Sequence, residues 1–142
     1  KGKFMNELLK LDNQLCFKIY ASHRKITREY KPLLDKLNLT YPQYLVMLVL
    51  WEKSPITVKE LGERLYLDSG TISPLIKTLE TKGFIKKIRD KEDERIVYIN
   101  LTSEGNSLKE LAVSVPKMMT EKGLVNYEEY TILMKILNKL MS

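Results

Sequence analysis

Apolar residues recur through the first third of the chain at Leu8, Leu11, Leu15, Ile19, Ile26, Tyr30, Leu33 and Leu37, at intervals of three, four and seven. That spacing keeps one face of a 3.6-residue helix apolar and predicts a helix over this stretch. Pro32 lacks an N–H, so it should kink the helix or mark a break near its end. Thr40 then offers an N-cap with Gln43 three residues on, a capping box ahead of an apolar helix from Tyr41 to Glu52. Pro42 falls in the first turn, where the missing donor has no partner to lose.

A second capping box, Thr57 with Glu60, is expected to open a short helix with Val58, Leu61 and Leu65 inward. The turn Asp68-Ser69-Gly70 precedes a further helix to about Lys82, with Ile72, Leu75, Ile76 and Leu79 on one face and Gly83 ending it. Pro74 is expected within its first turn or so. Phe84–Arg89 and Arg95–Leu101 read as the strands of a hairpin around a charged tip, 90–94. Thr102 caps another helix, broken or kinked near Pro116, and Asn126 with Glu129 caps the last. The predicted fold is mainly α with a small β-hairpin wing. A winged helix-turn-helix spans 40–101 and helical segments 6–38 and 102–142 flank it, all within one chain, 1–142. The outer helices carry more apolar surface than the central part can cover, so they are expected to form a dimerisation domain against a second copy.

The face of the second short helix opposite its leucines and isoleucines carries Ser69, Thr71, Ser73, Lys77 and Thr78. Short hydroxyls and one cation suit phosphates and base edges in a major groove, where a plain solvated helix shows longer Glu and Lys. The hairpin adds Lys86, Lys87, Arg89, Lys91 and Arg95, with Asp93 two residues before Arg95 and able to orient its guanidinium. A fixed, extended Arg suits a narrow minor groove. The residues expected to contact double-stranded DNA are therefore Ser69, Thr71, Ser73, Lys77, Lys87, Arg89, Asp93 and Arg95. A formal net charge of +6 agrees with a polyanionic partner.

One cysteine and one histidine exclude a disulfide framework within the chain and any cysteine-rich zinc site. No Ser-His-Asp set, Gly-rich phosphate loop or carboxylate pair stands out, so neither an enzyme, a cofactor nor a metal is expected. No apolar run approaches the ~18 residues of a membrane span. The N-terminal Lys-Gly-Lys-Phe-Met lacks a signal peptide's apolar core, and a cytoplasmic location without membrane contact is expected.

Cys16 lies in Gln14-Leu15-Cys16-Phe17 on the first helix. A lone cysteine is either a small buried hydrophobe or a reactive thiol. Tyr20, at i+4, shares its face. Tyr30, fourteen residues on, returns to nearly that face but ~21 Å along a straight helix. It can reach Cys16 of its own chain only if the helix folds back, but could do so across an antiparallel contact with another chain, where phenolic O–H groups would favour a thiolate. Tyrosine stripes also serve simply as core, and the spacing leaves both readings open. His23, ~10 Å from Cys16 at i+7, is too far to act as its base and is read as structural.

Asp93-Glu94-Arg95, followed after five residues by Leu101-Thr102, resembles the wing signature of the MarR family, and Leu67–Thr71 with Pro74-Leu75 resembles the entry to its recognition helix. Asn13–Phe17, Tyr20-Ala21-Ser22, Tyr30–Leu37 and Thr40–Tyr44 resemble one branch, the organic hydroperoxide resistance regulators. The resemblance covers nearly the whole chain. It implies a two-fold dimer on a pseudo-palindromic operator, with Cys16 as the peroxide-reactive residue and Tyr20 and Tyr30 bonded to it across the dimer. Without a second cysteine the chain resembles the one-Cys type, whose sulfenic acid needs a low-molecular-weight thiol or further oxidation to complete the switch. Staphylococcal-type global regulators of virulence and biofilm share the Leu-Cys-Phe segment. Two other readings remain at this point: release by a small aromatic ligand with Cys16 incidental, and a thiol peroxidase, against which the missing resolving cysteine and general base argue.

Overall fold

The helix with the least amphipathic sequence lies at the centre of the protein. In the computed structural model, which describes residues 1–142, the segment YPQYLVMLVLWE forms α3 (Tyr41–Glu52). It buries Tyr44, Val46, Met47, Val49 and Leu50, as expected of a helix apolar on all sides. Before it come α1 (Gly2–Leu8), a 3-10 turn (Leu11–Asn13) and α2 (Leu15–Asp35). After it come β1 (Ile56–Thr57), α4 (Val58–Leu65), α5 (Ser69–Thr81), β2 (Ile85–Arg89), β3 (Val97–Leu101), α6 (Ser103–Ala112), α7 (Ser114–Glu121) and α8 (Tyr127–Met141). Leu34 of α2, Leu61 of α4, Ile72 and Leu79 of α5, Ile85 and Ile99 of the sheet and Val115 of α7 are among the residues that join it in the core. The fold is a winged helix-turn-helix between two helical ends.

Two of the three expected capping boxes form, and the third forms in half. Thr40 accepts the Gln43 N–H and Gln43 Oε1 accepts the Thr40 N–H, a reciprocal box. Asn126 and Glu129 do the same at α8. Thr57 accepts the Glu60 N–H, but the Glu60 carboxylate instead pairs with Lys53 at 2.8 Å. Four expectations are corrected or extended. The stretch from Leu8 to Leu37 is not one helix, because the Asn13 amide donates to Glu7 O and the Gln14 amide to Leu8 O and Lys10 O, replacing helical bonds between α1 and α2. Pro32 sits near the end of α2 without breaking it. The wing is a three-stranded antiparallel sheet of order β1-β3-β2, in which Ile56 faces Ile99 and Ile85 faces Leu101. The break near Pro116 falls at Val113, leaving Pro116 in the first turn of α7.

One close approach locks the helical end onto the sheet. Gly105 of α6 lies so near the Phe84 carbonyl that a side chain there would collide with backbone. Thr102 ties the same point, donating through N to Phe84 O (3.1 Å) and through its hydroxyl to Gly83 O (2.6 Å). Trp51 Nε1 donates to Gly105 O at 2.9 Å.

The terminal helices are incompletely packed. A compact chain of 16.6 kDa exposes about 7,600 Å², whereas this one exposes 10795 Å². The excess, about 3,200 Å², centres on α1 and α8, neither of which buries a residue, and on the N-terminal half of α2. Leu15, Ile19, Ile132, Ile136 and Leu140 are among the apolar side chains left open. No helix is long and apolar enough to cross a membrane.

Gly105→Ala is expected to lower unfolding free energy by about 2–3 kcal/mol in a denaturant titration, because the atom it strikes is main chain and cannot rotate away. A loss below about 0.5 kcal/mol would contradict the close approach.

Candidate nucleic-acid interface and thiol site

The turn between α4 and α5 is set by sterics and one carboxylate. A Cβ on Gly62 would come within 2.9 Å of Leu67 O, so only glycine lets the chain double back there. Tyr66 takes the left-handed conformation at φ 57, and Asp68 then caps α5 by accepting the Thr71 N–H at 2.8 Å. The Thr71 amide and hydroxyl hold the Asp68 carboxyl below the usual carboxylate range. Helix α5 starts at Ser69, so Ser69 and Gly70, expected in the turn, are already helical. Pro74 consequently lies inside the helix rather than in its first turn, and the Gly70 carbonyl has no N–H four residues on.

Between α4, α5 and the wing runs a groove of about 1260 Å³. Ser69 and Ser73 line it from α5, and Lys87, Arg89 and Arg95 from the wing. Thr71 and Lys77 are exposed on α5 but lie outside its lining. Thr78 is exposed as well, its hydroxyl donating back to Pro74 O of its own helix at 3.0 Å. The wing cations differ in freedom. Arg95 makes a fork with Asp93, Nε to Oδ1 and Nη2 to Oδ2, both at 3.0 Å, while its own N–H reaches Oδ1 at 3.1 Å. The Arg95 side chain is nonetheless 90% exposed, so the carboxylate poses the guanidinium without hiding it. The fork holds the Asp93 carboxyl below its usual range and raises Arg95 further. Arg89 donates to Glu94 O at 2.7 Å and braces the tip, while Glu80 accepts the Lys87 N–H at 3.2 Å and draws its ammonium to 3.7 Å. Lys59, Tyr66 and Tyr98 also line the groove and were not among the expected DNA contacts: Lys59 and Tyr66 belong to α4 and the turn after it, and Tyr98 was read only as a strand residue.

At the other end of the molecule, Cys16 is the second residue of α2 and is exposed. Tyr20, one turn on, is 58% exposed, with the Arg24 guanidinium 5.6 Å from its ring centre. Tyr30 is not near Cys16 in the protomer. It is half-buried against Tyr41 and Tyr44, with ring centres 5.1 and 6.0 Å away, and Tyr44 continues to Trp51 at 6.5 Å. His23 meets the Tyr41 ring edge-on at 6.0 Å, a packing role. Burial raises the Tyr30 and Tyr41 phenols, and it pushes Tyr44 up to about 12, with Tyr30 and Tyr41 adding to the effect. Tyr41 and Tyr44, expected in an apolar helix and in the Thr40–Tyr44 segment of the family resemblance, were given no place at the thiol site. Their contact with Tyr30 arises from the crossing of α2 and α3.

Residues 28–111 match the family described as the SarA/Rot transcriptional regulators. The chain is 59% identical over 108 residues to the organic hydroperoxide resistance transcriptional regulator of Bacillus subtilis, covering 76% of this chain and 74% of that protein. It is 37% identical over 139 residues to the HTH-type transcriptional regulator MgrA of Staphylococcus aureus, covering 96% and 94%. Among solved structures, reduced AbfR bound to DNA superposes with a TM-score of 0.78 at 34% identity, covering 96% of each chain. That protein, from Staphylococcus epidermidis, has also been solved overoxidised on DNA and in a disulfide-formed state.

Arg95→Ala is expected to weaken operator binding about tenfold and to reduce the dependence of log affinity on log salt by about one, with little change in stability. Fluorescence anisotropy across a salt series measures both, and an unchanged slope would remove Arg95 from the interface. Tyr44 gives a separate prediction for the core. Its folded pKa, about 12, lies above the unfolded value of 10.0. The linked stability is complete below pH 10 and is lost as pH rises towards 12. Denaturation midpoints of Tyr44→Phe should fall less steeply over that window than those of the parent protein.

Proposed function

The chain belongs to the MarR/SarA winged-helix transcriptional regulators, in the company of the organic hydroperoxide resistance regulators, and from that premise we propose that it is a homodimeric repressor that lets go of its operator when Cys16 is oxidised. The observation that carries the reading is the placement of Cys16. It is exposed, in the first turn of α2, on an apolar face that nothing in its own chain covers. A thiol meant as core filler would be inside; this one stands where a second protomer would close over it.

The uncovered surface supports the dimer. An obligate interface takes roughly 1,000–2,500 Å² from each partner, less than the excess the protomer exposes. An antiparallel pairing of α2 with its copy brings Tyr30 of one protomer towards Cys16 of the other, which is how a residue about 21 Å along the same helix joins the thiol site. Each winged helix-turn-helix then takes one half-site of a pseudo-palindrome, with α5 in the major groove and the Arg95 wing in the flanking minor groove.

The chemistry is a two-electron oxidation. The Cys16 thiolate attacks the terminal oxygen of an organic hydroperoxide; an S–O bond forms, the O–O bond breaks, and the alkoxide leaves as an alcohol after taking a proton. Sulfur is oxidised to a sulfenic acid as the peroxide is reduced. A low-molecular-weight thiol then condenses with it, forming a mixed disulfide and releasing water. The overoxidised relative solved on DNA favours this second step over further oxygenation as the one that frees the operator. Bulk at Cys16 breaks the tyrosine bonds and repacks the dimer, and a changed spacing of the two α5 helices loses specific affinity.

Cys16→Ser is expected to bind operator with parent-like affinity and to remain bound after organic hydroperoxide plus a small thiol, whereas the parent protein dissociates. Release of Cys16→Ser at the parental dose sinks the redox reading.

A further inference from the structure

The sensor and the reader must be mechanically joined, and one side chain outside both sites links the end of α2, the start of α3 and the end of α5. Lys82 caps the C-terminus of α5, its N–H donating to Thr78 O at 2.9 Å. Its ammonium leaves the helix and donates to two oxygens, Asn38 O at 2.6 Å and Gln43 Oε1 at 2.8 Å. Asn38, left-handed at φ 57, lies just beyond the end of α2. Gln43 is only 6% exposed, the one polar residue buried in the core, and its Oε1 also accepts the Thr40 N–H at 3.0 Å to start α3. One cation therefore fastens the end of the Cys16-bearing helix, the start of the central helix and the end of the DNA-reading helix.

The lever arm is long. Helix α2 runs 21 residues, about 31 Å, with Cys16 in its first turn and the Asn38 junction just past its last. A rigid helix shifted at one end must move at the other, and hydrogen bonds to a charged donor resist separation more than neutral ones.

We propose that Lys82 is the positioning residue that couples α2 to α5, converting a shift of the thiol-bearing helix into a shift of the DNA-reading helix. This rests on the redox reading above. It assigns Lys82 no contact with DNA or peroxide.

The test compares operator Kd of the reduced and the hydroperoxide-plus-thiol-treated protein for the parent, Lys82→Met and Lys82→Arg, alongside melting temperature and the rate of Cys16 sulfenic acid formation. Met keeps the aliphatic stem and leaves Gln43 Oε1 its bond from Thr40, so the fold is expected to survive. The expected result is an unchanged oxidation rate and an oxidised-to-reduced Kd ratio at least tenfold smaller in Lys82→Met, partly restored in Lys82→Arg. A purely structural lysine lowers affinity in both redox states alike and leaves the ratio untouched. A responsive parent with an equally responsive Lys82→Met overturns the coupling role alone. A parent whose affinity ignores oxidation overturns the redox reading and this inference together.

Discussion

The helices at the two ends of the chain have apolar faces and nothing of their own to lay them against. Burial of apolar area is the largest favourable contribution to folding, yet α1 and α8 bury no residue in the protomer. The α4–α5 pair and the wing are packed within each protomer. What the closure of this surface governs in the proposed dimer is how one protomer's DNA-reading elements stand relative to the other's. In the proposed dimer, the contact that covers it also sets the distance between the two α5 helices. A regulator built this way needs no separate transmission domain: whatever alters packing between protomers alters the spacing of the DNA-reading helices.

The DNA-facing side shows the complementary strategy, rigidity. Glycine sterics at Gly62, the Asp68 cap and the Glu80 contact to β2 fix α5 against the wing. On that frame Arg95 is held by Asp93 yet left exposed. Surface ion pairs of this kind add little to stability; the value of this one lies in posing a cation. Arg89, by contrast, is committed to bracing the wing tip.

Local features of the sequence were the most legible. The Thr40–Gln43 and Asn126–Glu129 boxes are encoded within four residues and formed as read. The heptad-like leucines gave α2 but hid its late start, because the Asn13 and Gln14 amides imitate helical hydrogen bonds without disturbing the apolar spacing. Strand β1 is two residues long and shows no period at all; only its pairing with β3 defines it. At the sites, the Asp93–Arg95 fork could be read because its partners are two residues apart. The Tyr30–Tyr41–Tyr44 cluster and the Lys82 junction could not, since both join residues that meet only when helices cross. The distance between Cys16 and Tyr30 was legible from helix rise alone, and the structure keeps them apart within one chain.

The central claim is that the thiol site is completed by the other protomer. The most direct measurement is the rate of Cys16 sulfenic acid formation in two defined heterodimers. In the first, one protomer carries Cys16→Ser and the other Tyr30→Phe; in the second, one protomer carries both substitutions and the other neither. If Tyr30 acts across the dimer, the single reactive cysteine of the first heterodimer faces an intact Tyr30 and keeps the parental rate, while that of the second faces phenylalanine and slows. Equal rates in the two heterodimers, or the reverse order, would contradict the account.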